Sequence, residues 1–109
     1  MAGRKAIPDT VRAEVEARVA RFNRDVVKDP HRCFVVRFRG KFAYLDREQY
    51  GRVGQRARLT YTGDMEQWEF AIFKYSDERY DPDEWFFPGG GHVDGTIEGA
   101  LRAAMAAYP

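Results

Sequence analysis

A chain of 109 residues, 44% hydrophobic and 15% aromatic, can close one hydrophobic core but not two, so a single domain over residues 1–109 is expected, with residues 1–6 as a disordered tail. No apolar run approaches the roughly 18 residues of a membrane span. Cys33 stands alone and "MAGRKAIPDT" lacks a signal peptide's apolar centre, so no internal disulfide forms and a reducing, cytoplasmic setting is expected.

Pro8 to about Val27 carries Val11, Val15, Val19, Phe22 and Val26 at the spacing of one helical stripe, with Arg12, Glu16 and Arg24 opposite. Pro8 and Asp9 suit its first turn, and Pro30 ends it by disfavouring helical geometry at Asp29. The period then changes to two. "CFVVRFRGKFAYLDRE" reads as a hairpin turning at Gly40, and "QYGRVGQ" as a flexible connection. "RARLTYTGDMEQWEFAIFKY" gives two more strands turning at Gly63 and Asp64. The second is apolar on both faces, with Trp68, Phe70 and Ile72 on one and Ala71, Phe73 and Tyr75 on the other. After the polar "SDERYDPDE", "WFF" offers a further strand. A closing helix is marked by Ile97, Leu101, Ala104, Met105 and Tyr108, with Glu98 placed to pair with Arg102. The fold class is α+β: N-terminal helix, antiparallel meander of four or five strands, C-terminal helix.

The length of the first hairpin's turn decides what its faces carry. A three-residue turn of Phe38, Arg39 and Gly40 puts Phe34, Val36, Phe42 and Tyr44 together, and is the expected arrangement because it sends these aromatics into the core. A two-residue turn instead sets Arg37 and Arg39 beside Phe42 and Tyr44, interleaving cations with rings as in single-strand binders.

Charge is distributed unevenly. Up to Arg58 there are 15 Lys and Arg against 7 Asp and Glu, and from Leu59 onward 3 against 10. The plain account is that the halves pair or solvate separate faces. The sharper one is a basic surface for phosphates or an acidic partner, made from Arg37, Arg39, Lys41, Arg47, Arg56 and Arg58.

"FFPGGGHVDGTIEGALRAA" superficially offers a phosphate loop at Gly89, Gly90, Gly91, His92 and Asp94. No Lys follows Gly95, an anion would meet Asp94, and no parallel βαβ unit surrounds it. A structural loop is expected, with Asp94 or Thr96 capping the last helix. Asp77, Glu78, Asp81, Asp83, Glu84, His92 and Asp94 cluster in sequence without the spacing of a calcium or zinc site, so no metal is expected. Cys33, His31 and His92 lack the spacing of a nucleophile and its base.

The hairpin "VVRFRGKFAYLDRE", the strand "WEFAIFKY", the segment "WFFPGG" and the helix start "DGTIEGAL", in this order, resemble a family of small bacterial proteins, domain-of-unknown-function family three-zero-two-four. The resemblance covers most of the chain through short structural motifs. It implies the helix–meander–helix architecture and brings no activity, cofactor or catalytic residue. The expected function is therefore a binding or interaction domain without catalysis or cofactor, its partner another protein or a second copy. A homodimer would meet near Trp68, Phe70 or Tyr75, since sixteen aromatics outnumber what two short helices can cover. The alternative is nucleic-acid binding through the basic hairpin face. An enzyme using His92 and Asp94 is disfavoured.

Overall fold

The structure, a computed structural model, describes residues 6–84 and 86–109. The tail expected over residues 1–6 lies, apart from Ala6, outside them. Helix α1 spans Asp9–Phe22 and continues as a π-helical turn, Asn23–Val27, closed by Lys28 in the left-handed region. Five strands follow as β1 (Phe34–Arg39), β2 (Phe42–Gln49), β3 (Arg52–Thr60), β4 (Glu69–Lys74) and β5 (Arg79–Asp81), then α2 (Ile97–Ala107). The sheet is one antiparallel meander in chain order. Among the described residues no helix is long and apolar enough to cross a membrane.

Both helices pack on one face of the sheet. Val15, Val19 and Phe22 from α1 and Ile97, Leu101 and Ala104 from α2 join Phe34, Ala43, Leu45, Ala57, Leu59, Phe70 and Ile72 in one core. These strand positions alternate, so one face of the sheet presents an apolar row to the helices. Arg18 ties the layers at their rim, pairing with Glu14 at 3.0 Å, with Glu66 before β4 at 3.0 Å and with Glu98 of α2 at 3.5 Å. Hydrogen bonds to Glu66 and then Glu14, with the charge of Glu98 beside them, hold the guanidinium's pKa above its ordinary value. Glu98 thus serves Arg18 and not Arg102, which lies over the Phe22 ring.

The first hairpin departs from the expected turn. Arg39 pairs with Phe42, leaving Gly40 and Lys41 as a two-residue loop. Gly40 has φ +59°, the glycine-first pattern of a type II′ turn whose twist matches the flanking strands. The three-residue turn would send Phe42 and Tyr44 to the helices. The two-residue turn gives that place to Phe34, Val36, Phe38, Ala43 and Leu45, a sufficient apolar row.

Three further expectations change. "QYGRVGQ" is a tight hairpin, with Tyr50 and Gly51 at positive φ between paired Gln49 and Arg52. The fifth strand comes from the polar stretch, where Tyr80 pairs with Phe73 and Asp81 with Ile72. Of "WFF", Trp85 lies outside the described residues, and Phe86 and Phe87 form no strand. β4 is apolar on both faces because both are covered: Phe70 and Ile72 face the helices, and Ala71 and Phe73 are buried on the other side, where the Tyr80 ring of β5 meets Phe73.

Asn23 fixes the helix layer to the sheet edge. Its amide nitrogen donates to Phe34 O at 2.9 Å and its oxygen accepts from Phe34 N at 2.8 Å, satisfying one residue of the edge strand β1. The π turn, closed by Lys28 N donating to Asn23 O at 2.8 Å, is where this side chain leaves the helix. Asn23→Ala strands both backbone groups, and a loss of about 1–3 kcal/mol in unfolding free energy is expected in a urea titration. A change within about 0.5 kcal/mol, the size of an ordinary surface substitution, would contradict this role.

Candidate functional site

The sheet face without helices carries the second arrangement of the hairpin. Arg39, Phe42, Thr60 and Glu69 form one cross-strand row, and Arg37, Tyr44, Arg58 and Ala71 the next. Phe42 and Tyr44 have ring centroids 6.1 Å apart, and Tyr44 lies 5.4 Å from Tyr80, which makes an edge contact with Phe73 at 4.9 Å. The guanidinium of Arg37 sits 4.3 Å over the Tyr44 ring, and those of Arg58 and the ammonium of Lys41 lie 4.7 Å and 5.6 Å from the Phe42 ring. Cationic groups over aromatic faces are attracted by the ring quadrupole and cover apolar carbon with their stems.

The charge on this face is polarised along the strands. Arg37 pairs with Asp46 at 2.8 Å, and that hydrogen bond raises the pKa of the guanidinium. Arg39, Lys41 and Arg58 have no carboxylate within 4.0 Å among the described residues. Asp46 and Glu48 lie toward the other end of β2, and Glu69 at the β4 end of its row. At the positive end, Arg39, Gly40, Lys41, Phe42 and Tyr44 line a groove of about 330 Å³. Burial raises the pKa of Tyr80, whose hydroxyl accepts from Gln55 at 3.3 Å and from Arg37 at 3.5 Å.

Six of the eight residues proposed for a basic surface therefore meet: Arg37, Arg39, Lys41, Phe42, Tyr44 and Arg58. Arg47 does not. With the two-residue turn it shares the parity of Ala43 and Leu45, and it is buried on the helix side over the Phe34 ring. There it donates to the Arg32 carbonyl at 3.0 Å, and burial, then Arg32 and Arg56, lower its pKa. Arg56 is the extra residue of a bulge, since Leu45 pairs with Ala57 but Asp46 with Gln55. Its guanidinium turns to the Tyr75 hydroxyl at 2.8 Å and the Tyr108 ring. Sequence reasoning misses Tyr80 and Asp46 on the open face, the first because the polar "SDERYDPDE" gives no strand signal.

Of the three aromatics expected at a dimer contact, Trp68 and Phe70 are buried in the chain's own core, so neither is on offer to a second copy. Tyr75 is 47% exposed and fully exposed Phe86 lies nearby, in a groove of about 370 Å³ lined also by Ile72, Phe87, Pro88 and Tyr108. The acidic stretch is balanced locally: Lys74 meets Asp77 at 3.7 Å, Asp81 at 3.7 Å and Glu84 at 3.3 Å, and Arg79 meets Asp81 at 3.4 Å.

The glycine loop is occupied by its own contacts. Gly90–His92 form one 3₁₀ turn, with His92 exposed. Thr96 caps α2 by accepting from Gly99 N at 2.9 Å, and donates its own hydroxyl to Asp94 at 2.6 Å. Asp94 also accepts from Thr96 N at 3.0 Å, and these bonds lower its pKa, the side-chain bond most. Gly89 has φ +98°, and a Cβ there would stand 2.7 Å from the Ala103 carbonyl oxygen and the Ala106 methyl. A Cβ on Gly91 would meet nothing within 4 Å. Gly89→Ala should thus cost about 1–3 kcal/mol in chemical denaturation and Gly91→Ala less than about 0.5 kcal/mol. Equal effects would show that the loop does not pack on α2 as described.

No protein-family model, curated protein or solved structure matches this chain.

Proposed function

We propose that the protein is a non-catalytic binding domain that holds single-stranded nucleic acid across the uncovered face of its sheet. The observation that carries this is the Arg39–Phe42 pairing, which sets Phe42 and Tyr44 among Arg37, Arg39, Lys41 and Arg58 on the side without helices. Every base has an apolar face that stacks on a phenyl or phenol ring, and unpaired strands expose those faces whereas duplexes bury them. Arg39 and Lys41, at the rim and without a carboxylate partner among the described residues, hold the phosphates. Arg58 and Arg37 lie over rings and stack in line with a base or yield the ring to it. The single unpaired cysteine accords with a reducing, cytoplasmic setting.

A second reading, a protein-interaction domain, has its own observation in the groove at Tyr75, Phe86 and Tyr108, whose exposed phenyl ring has the chemistry of a protein contact. It uses the opposite end of β4 and is compatible with the first.

Fluorescence anisotropy of a labelled single-stranded 12-mer tests the first reading. Affinity should fall steeply with salt, and Arg39→Ala with Lys41→Ala should flatten the log–log slope by roughly 1.4, about 0.7 for each lost phosphate contact. Tyr44→Ala should weaken binding by about 1–3 kcal/mol with little change of slope. Arg24, exposed on the helix side and paired with Asp25, is the control, and Arg24→Ala should leave the slope unchanged. An absence of binding at low salt, or an equal effect of the Arg24 change, overturns the reading.

A further inference from the structure

We propose that Asp46 and Arg37 read the base laid on Tyr44, and that the base they favour is guanine. This rests on the nucleic-acid reading above and adds a specificity to it.

The starting point is an unmet acceptor. The Asp46 side chain is only 5% exposed. One carboxylate oxygen accepts from Arg37 Nε at 2.8 Å, while the other, Oδ1, is buried without a hydrogen-bond partner among the described residues. A buried carboxylate oxygen left without a donor carries a desolvation penalty, and proteins satisfy nearly all such groups. The neighbouring donors are directed elsewhere. Gln55, across the strand from Asp46, gives its amide to the Tyr80 hydroxyl, and Arg37 turns its outer nitrogen to the same hydroxyl. Arg37, the hydrogen-bond partner of the Asp46 side chain on the neighbouring strand, has a side chain that is 51% exposed and so reachable by a ligand at this face.

Asp46 is two residues from Tyr44 on one strand, and so on the same face. A base stacked on that ring brings its edge toward the Asp46–Arg37 pair, which offers an acceptor beside a donor. Guanine presents O6, N1–H and the N2 amine in that order along one edge. O6 meets the guanidinium and the two adjacent donors meet the carboxylate. Adenine and cytosine follow their one donor with an acceptor, and thymine and uracil set one donor between two acceptors. Each of these turns a lone pair toward the carboxylate. Guanine's edge alone meets the stranded oxygen with one N–H, brings a second N–H to its partner oxygen, and turns no lone pair toward the carboxylate.

The test compares labelled thymidine 12-mers carrying one central guanosine, one inosine or thymidine throughout. For the wild-type protein the guanosine strand should bind about tenfold more tightly than the all-thymidine strand, the worth of a hydrogen bond to a charged group. Inosine, which lacks the N2 amine, should lose most of that gain without any change to the protein. In Asp46→Asn, checked for folding by its thermal transition, the guanosine-to-thymidine ratio should fall to about one. Equal wild-type binding of all three strands overturns this inference and leaves the binding reading standing, as does a guanosine preference that survives in Asp46→Asn. Failure of every strand to bind at low salt removes both.

Discussion

Side chains along a strand alternate between two faces, so the number of residues in one turn assigns every side chain of both strands it joins. In this protein that turn is Gly40–Lys41. Gly40 takes a positive φ at no steric cost, and the loop closes with two residues. Phe34, Val36 and Phe38 are thereby committed to the helices, and Arg37, Arg39, Phe42 and Tyr44 to the other side. One more residue in the loop would reverse the allocation for β2 and place Asp46 in the core.

The two sides of the sheet solve the burial of aromatic surface differently. Toward α1 and α2 the solution is ordinary close packing of aliphatic and aromatic groups, rimmed by Arg18 and its three carboxylates. On the other side the chain covers rings with its own cations, with Arg37 on Tyr44 and Arg58 between Phe42 and Tyr80. The rings of Phe42, Tyr44 and Tyr80 are thus covered from within the chain. They leave a face that is apolar underneath and positively charged above, which suits a ligand with flat apolar faces and a negative backbone.

Much of this architecture is legible in the sequence, and the rest fails for identifiable physical reasons. The stripe Val11, Val15, Val19, Phe22 marks α1 because helical period is a local property, and the two-faced strand around Phe70 and Phe73 declares its neighbours by composition. The α+β order follows from these. Turn length does not, because both registers of the first hairpin place plausible apolar rows toward a helix. β5 hides because three residues, Arg79–Asp81, give only one apolar side chain, and its pairing to β4 is a long-range choice. Arg47 and Arg56 look equivalent to Arg37 and Arg58 in composition, yet parity buries the first and a bulge diverts the second. Six residues of the candidate site could be named from the basic, aromatic pattern. Asp46 and Tyr80 joined them only through register.

The most direct test of the central claim is a nitrogen–proton correlation NMR titration of the protein with a single-stranded oligonucleotide at low salt. The account predicts shifts concentrated at Arg37, Arg39, Phe42, Tyr44, Arg58 and Tyr80, with Val15, Val19 and Leu101 in the helix layer unmoved. Shifts confined to the helices or to residues 89–94, or none at excess ligand, would contradict it.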